Sequence, residues 1–312
     1  MGTPEFATTI LQAIHENSEH EVVGVVTTTD KPAGRGQKMR QSHVKQYAEK
    51  NELIILQPEK LKDPIFLKEL AALSADCFVV VAFRMLPKEV WSMPSRGTIN
   101  LHGSLLPKYR GAAPINWAVI NGEKKTGVTT FYINEDIDTG DVILQKEMEI
   151  HENETAGNVH DRMMHLGAKT VLETLNLIKQ NKATSQAQNK MNDAPCPAPK
   201  IFKNDCLIDF NRSAETLHNF IRGMSPFPGA WMKIIHREKN EEKIFKIFKT
   251  KKISFDFPKT NKPSFIEKDK NLYLTWGSKA LQLIEVQLEG KKRMEINQFL
   301  QGFKSEDWDI LD

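Results

Sequence analysis

The chain has 312 residues, 40% hydrophobic and 27% charged, with a formal net charge of +3. At roughly 100 to 200 residues per domain this length predicts two domains with substantial cores, which excludes a peptide hormone, a small disulfide scaffold or a globally disordered chain. No apolar run approaches the roughly 18 residues that span a bilayer, and the N-terminus lacks the order of a secretory signal, so the expected setting is the cytoplasm with no membrane partner.

The first residues, MGTPEF, form a glycine-containing turn into a helix-like stretch, ATTILQAIHEN. A doubly wound sheet needs a strand ahead of such a helix, and none precedes it. From Val22 onward, continuously apolar runs alternate with helical patterns: VVGVVTT (22–28), LIILQ (53–57), DCFVVVAF (76–83) and GTINLH (97–102), with helices expected at 64–73 and 114–121. Runs of this kind are strands buried between two helix layers, which predicts a Rossmann-like α/β domain with a parallel sheet. Between the first two strands lies DKPAGRGQKMR (30–40), where Lys31, Arg35, Lys38 and Arg40 face a single acid. Such a loop can follow a phosphate backbone or be a solvated surface loop.

In TINLHGSLLPKYRGAAPINW (98–117), Asn100 and His102 lie two residues apart on a predicted strand and project from one face. Two hydrogen-bond donors aimed at one point suit the oxyanion of an acyl transfer. The alternative is a hydrogen-bonded core histidine beside a loop-capping amide. Ser104 to Pro107 then form a loop at the strand's carboxyl end, where open α/β sheets bind ligands. Further on, INEDIDTGDVILQ (133–145) places acidic residues in a turn between two strand-like runs. Asp138 is the candidate partner of the imidazole or the acceptor of a proton from an attacking amine, unless its carboxylate only caps its own turn.

A long amphipathic helix is expected from about Thr155 to Lys179, closing a first domain at 1–181. Residues 182–204 read as a linker, rich in Ala, Pro, Asn and Gln and without apolar periodicity. The second domain, 205–312, opens with a helix at 214–224 and a turn at PFPG (226–229). Strands are expected at 230–236, 243–254, 265–276 and 279–289, a small antiparallel barrel or sandwich. Residues 200–312 carry 21 Lys and Arg against 16 Asp and Glu, and 233–262 carry ten against four, interleaved with phenylalanines. In KIFKIFK the aromatics are expected inward and the lysines outward, where they attract phosphate. Cys77, Cys196 and Cys206 form no CxxC and no zinc-ligand spacing, so free thiols and no metal are expected. GxSxG, HExxH and a Walker A lysine are absent, which leaves serine hydrolases, zincins and P-loop enzymes without support.

Taken together, GTPEF (2–6), DKPAGRG (30–36), INLHGSLLPKYRGAAPI (99–115), DIDTGDVI (136–143) and PFPGAW (226–231) resemble the methionyl-tRNA formyltransferase family, in the same order and over nearly the whole chain. The resemblance implies transfer of a formyl group from 10-formyltetrahydrofolate to the amino group of methionyl initiator tRNA, by a monomer. It implies Asn100, His102 and Asp138 as the catalytic trio. Ser104, Leu105, Leu106 and Pro107 would contact the folate, and Arg35, with Lys31 and Lys38 beside it, would meet the acceptor stem. The second domain would be an OB-like barrel that binds tRNA. Two departures stand out. The family's short strand before the GTP turn is absent, which predicts either a start further upstream or the loss of a central element. The segment VVAFRMLP (80–87) is one residue shorter than the family's, with Arg84 near an expected glycine, where it would meet the folate's glutamate tail or only solvent. Formyltransferases acting on glycinamide ribonucleotide or on amino sugars resemble the same trio, and a catalytically silent RNA-binding protein on this scaffold is a further alternative.

Overall fold

The computed structural model describes residues 1–17, 19–33, 38–253 and 257–311. In chain order the elements are α1 (Glu5–His15), β1 (Val25–Val26), β2 (Lys31–Ala33), β3 (Lys38–Arg40), α2 (His43–Lys50), β4 (Ile55–Leu56), α3 (Pro64–Ala72), β5 (Phe78–Val81), α4 (Lys88–Trp91), β6 (Thr98–His102), β7 (Lys108–Arg110), α5 (Pro114–Ile120), β8 (Lys125–Tyr132), β9 (Val142–Glu149) and α6 (Ala156–Lys179). They continue with β10 (Cys196–Pro197), α7 (Ala214–Gly223), β11 (Ala230–His236), β12 (Glu242–Lys252), β13 (Thr260–Lys268), β14 (Asn271–Gly277), β15 (Lys279–Leu288), β16 (Met294–Glu295), α8 (Ile296–Phe299) and β17 (Trp308–Leu311). Two compact units result. The first comprises Met1–Pro114, Thr126–Met148 and Asp161–Ala198, and the second Ile115–Lys125, Glu149–His160 and Pro199–Asp312.

In the first unit the apolar runs pair as parallel strands, β1 with β4 and β5 with β6. The sheet then departs from the all-parallel expectation, because β8 joins β6 antiparallel. Helices between the strands begin where their sequences supply caps: Ser42 accepts from the Lys45 amide ahead of α2, and Asp63 accepts from Ile65 and Phe66 ahead of α3, with Pro64 in the first helical turn. Val26, Phe66, Leu70, Phe78, Val80 and Val90 form one of the buried clusters.

Where the sequence lacks a leading strand, Met1 and Gly2 themselves pair between β1 and β5. The Met1 amine donates to Val79 O at 2.7 Å, Val81 N donates to Met1 O, and Gly2 N donates to Val26 O at 3.1 Å. Only glycine fits at position 2, since a Cβ there would lie 2.5 Å from that of Ala7 and 2.8 Å from Val81 O. Burial pushes the amine down to about 5. A cavity of 410 Å³ lined by Met1, Ile10, Val23, Val25, Val79 and Leu175 adjoins this pairing.

The second unit is an antiparallel sheet in the order β13, β14, β15, β12, β11, β17, with β16 added to β15. Its end strands approach through the Lys262–Asp309 ion pair at 2.9 Å, which leaves the barrel nearly closed. The expected strand at 265–276 is instead two strands folded at Asp269 and Lys270, both with left-handed φ (51° and 61°), inside the polar run EKDKN (267–271). Alternation is clean in β11, where every second residue of Ala230–His236 is buried. In β12 the register shifts around Lys249, so Ile247 and Phe248 are both buried while Lys249 and Lys251 are exposed. Phe245 anchors the core against Phe265, Phe299 and Phe303, with ring centroids 5.1, 5.6 and 6.0 Å away.

Candidate active site

β6 has a hydrogen-bonded neighbour on each side, β5 and β8, so the side chains it carries are fixed by two ladders. Ile99 and Leu101 pack into the interior on one face, while Asn100 and His102 share the other. Asn100 is half-buried, and its amide has no partner among the described residues. His102 is 6% exposed. Its Nε2 lies 2.7 Å from Tyr109 O, and because a carbonyl only accepts, Nε2 carries the proton. Its Nδ1 faces Asp138 Oδ2 at 3.7 Å, and that oxygen also accepts from Gly111 N at 2.9 Å. The distance is longer than a hydrogen bond, as is common for catalytic pairs before substrate binds. A second proton on the ring would therefore sit between Nδ1 and the carboxylate.

The backbone that holds this pair is unusual. Tyr109 and Asp138 both have left-handed φ, 61° and 54°. Each conformation costs about 1 to 3 kcal/mol and persists only where the surroundings impose it. At Tyr109 the His102 ring and the Cys196 thiol, which accepts from Tyr109 N at 3.3 Å, provide that constraint. Gly111, with φ 122°, passes so close to Ala198 O that a Cβ would lie 2.7 Å from it.

Residues 103–107 are braced from beneath. Ser104 Oγ donates to Lys108 O at 2.6 Å, and Thr129 Oγ1 donates to Ser104 O at 2.6 Å while accepting from Leu106 N at 3.1 Å. Gln145 Nε2 donates to Leu106 O at 2.8 Å. Ser104, Leu106 and Pro107 are buried, Leu106 packing on Phe131 and Val142, and Leu105 is half-buried. Because Ser104 O, Leu105 O, Leu106 N and Leu106 O are already engaged, the loop offers a ligand the Leu105 side chain rather than the other three. Arg84 donates from Nη1 to Glu59 O at 2.8 Å and from Nη2 to Pro58 O, tying the loop after β5 to the loop after β4. Of the basic loop, Lys31 is exposed at the base of the β2–β3 hairpin, whose neighbour Asp30 accepts from Lys45 Nζ at 2.6 Å and from Gln57. Arg35 and the Lys38 side chain lie outside the described residues.

Gly111, with Arg110, extends the loop the sequence marks, whereas Tyr109, Thr129, Gln145 and Gln188 carry no such signal. Gln188 stands in the expected linker, yet it is 4% exposed and hydrogen-bonded to both loops of the site. No periodicity or motif marks it. Among the described residues no three of His, Cys, Asp and Glu come together as a metal site, and no helix is long and apolar enough to cross a membrane.

None of these groups is an attacking nucleophile. The arrangement is able to polarise a carbonyl and to pass a proton, which suits a group-transfer enzyme whose nucleophile arrives with the acceptor. Comparison with known proteins makes that class specific. Residues 1–175 match the family described as formyl transferase, and residues 200–304 match the formyl transferase C-terminal domain. Methionyl-tRNA formyltransferase of Flavobacterium johnsoniae is 49% identical over 98% of this chain and 96% of its own length, and that of Bacteroides fragilis 48% identical over 97% and 94%. The chain belongs to the methionyl-tRNA formyltransferase family. Among solved structures, a sugar 3N-formyl transferase shares the fold with a TM-score of 0.61 at 21% identity, covering 93% of this chain and 97% of its own.

Proposed function

We infer that the chain carries out the reaction of its family, transferring the formyl group of 10-formyltetrahydrofolate to the α-amino group of methionyl initiator tRNA for translation initiation. Near-complete coverage of the curated relatives at almost half identity supports the acceptor. The observation that carries the chemistry is the convergence of a free, half-buried Asn100 amide with the His102–Asp138 pair at the carboxyl ends of β5 and β6. An unpartnered amide is costly when water is displaced from it, and a formyl oxygen is the acceptor it lacks. The folate thus fits the donor set, and it supplies an electrophilic formyl carbon on a nitrogen leaving group.

The residues divide the work as follows. The neutral methionyl amine attacks the formyl carbon, and Asn100 donates to the oxyanion that forms. His102 is held by Tyr109 O, so its contribution is the positive charge it acquires when Nδ1 is protonated beside Asp138. Asp138 takes the proton that the amine loses on attack and passes it to His102 Nδ1, and the proton returns by the same route to the folate nitrogen as the carbon–nitrogen bond breaks. One amine hydrogen is thereby exchanged for the formyl group with no net change in charge. Ser104, Leu105, Leu106 and Pro107 shape the folate side, with the half-buried Leu105 side chain the one left to meet it. The formyltransferase domain extends past 181 to Ala198, since 182–198 belongs to the first unit and bonds to its loops, and the tRNA-binding barrel follows it. Lys31, Arg35 and Lys38 meet the acceptor stem.

A monomer in the cytoplasm suffices, because one chain supplies the whole trio and its three free cysteines suit a reducing compartment. The deciding experiment incubates the enzyme with methionyl initiator tRNA and 10-formyltetrahydrofolate and reads N-formylmethionine by mass spectrometry. Glycinamide ribonucleotide and an amino sugar nucleotide serve as competing acceptors. Formylation of either small amine in preference to the tRNA overturns the acceptor, and tRNA binding without product overturns the enzyme.

A further inference from the structure

Gln188 is the most heavily committed polar side chain at the site, and it comes from a segment that reads as a tether. Its Oε1 accepts from Arg110 Nε at 3.0 Å and from Arg110 Nη2 at 2.7 Å. Its Nε2 donates to Asp138 O and Gly140 O, each at 2.9 Å. Both lone pairs and both hydrogens of the amide are used, in a buried setting where each unmade bond is costly. The segment carrying it is itself fixed at both ends. Val142 and Gln186 exchange main-chain hydrogen bonds at 2.9 and 2.8 Å, and Ala198 N donates to Arg110 O at 2.7 Å. One side chain therefore joins the loop after β6, through Arg110, to the turn that carries Asp138. That turn holds Asp138 at φ 54°, in the left-handed region, where its carbonyl faces the Gln188 amide.

We propose that Gln188 is a positioning residue. By clamping the Asp138 main chain in its left-handed conformation and tying it to Arg110, it keeps the Asp138 carboxylate beside His102 and on Gly111 N. This rests on the proposed role of Asp138 in formyl transfer. The chemistry of the clamp dictates which substitutions break it. Alanine removes all four bonds. Glutamate retains the volume and the Arg110 pair but turns a carboxylate oxygen toward two carbonyl oxygens, so the Asp138 side of the clamp fails while the Arg110 side survives. Displacement of a reacting group by even 1 Å can cost about a hundredfold in rate.

The test measures single-turnover formylation of methionyl initiator tRNA by Gln188→Ala and Gln188→Glu, each alone and combined with Asp138→Asn, alongside thermal melts. The expected result is a kcat loss of about tenfold to a hundredfold in both single variants, with KM for the tRNA little changed. Neither should cause a further loss once Asp138 is already replaced. Should the alanine variant not fold, the glutamate variant, which keeps its bonds to Arg110, carries the test. Losses that multiply in the Asp138→Asn background mark a general packing role and overturn the proposal, as does an unchanged kcat. If Asp138→Asn by itself retains the full rate, the mechanistic role of Asp138 fails first and the clamp has nothing to serve; if it loses the rate while the Gln188 variants do not, only the clamp fails.

Discussion

The two units solve different problems with different materials. The barrel is held by a single apolar cluster in which Phe245, Phe265, Phe299, Phe303 and Trp308 contact one another. At the carboxyl ends of β5 and β6, by contrast, the buried residues include the polar Ser104, His102, Thr129 and Gln188 beside the small apolar group of Leu106, Phe131 and Val142, and the chain turns through left-handed residues at Tyr109 and Asp138. Apolar burial gives stability without direction, whereas buried hydrogen bonds and constrained main chain hold a group at one place and angle. Substitutions should separate the two accordingly.

The largest effect is expected in the barrel. Phe245→Ala removes a fully buried ring at the centre of the aromatic cluster and should destabilise the protein by about 3 to 5 kcal/mol. Thermal unfolding checks this, and formyl transfer per folded molecule should stay near normal. A rate that collapses at temperatures where the variant is folded would show that the comparison between the units is drawn wrongly.

The converse change, Asn100→Ala, leaves the core untouched and should lower kcat by roughly 10²- to 10³-fold, the cost of one oxyanion donor. The melting temperature should hardly move, since the Asn100 amide has no partner among the described residues to lose. Near-full turnover would remove Asn100 from the mechanism.

This contrast also explains what the sequence made legible. Asn100 and His102 share a face because strand periodicity is local, and the barrel strand at 230–236 is visible because its burial alternates. The strand expected at 265–276 contains a turn at Asp269 and Lys270 that the polar run EKDKN (267–271) does mark, so a single long strand overlooks a signal the sequence carries. The antiparallel join of β8 to β6 depends on which face a later segment docks, and no window of sequence contains it. Gln188 was invisible for a related reason. A single glutamine becomes a site residue only when chain far along the sequence, at Arg110 and at Asp138, is brought to it. Arg84, expected to meet a folate tail or solvent, is exposed and also donates to the carbonyls of 58 and 59, partners that only tertiary structure supplies.

A smaller effect, on stability against pH, belongs to the second unit. His218 is buried, with Nε2 donating to Glu152 O at 3.3 Å and Nδ1 accepting from the Thr250 hydroxyl at 2.8 Å. Burial holds its pKa below the usual histidine value, helped by the Arg222 and Lys252 charges and opposed by the Glu152 carbonyl and carboxylate. The unfolded chain then binds a proton that the fold refuses, so stability is intact above about 6.5 and falls as pH drops below it. His218→Gln should flatten that dependence. Melting curves between pH 7.5 and 5.5 check it, and a slope equal to that of the parent protein would assign the acid sensitivity elsewhere.

The smallest effect is expected at the edge of the first unit, where the comparison turns from holding a site to reaching a partner. Lys31 is exposed at the start of β2, opposite Arg40 on β3, and the ion pair of Asp30 with Lys45 at 2.6 Å fixes the chain immediately before it. A lysine on an anchored base is a point charge at a set place, suited to one backbone phosphate and blind to sequence. Lys31→Ala should therefore raise KM for the initiator tRNA a fewfold, leave kcat unchanged, and reduce the steepness of the salt dependence of binding by about one phosphate contact. Binding measured across a series of salt concentrations decides it: an unaltered salt slope means that Lys31 does not touch the acceptor stem, and the electrostatic attraction then comes from other basic residues, those of the barrel included.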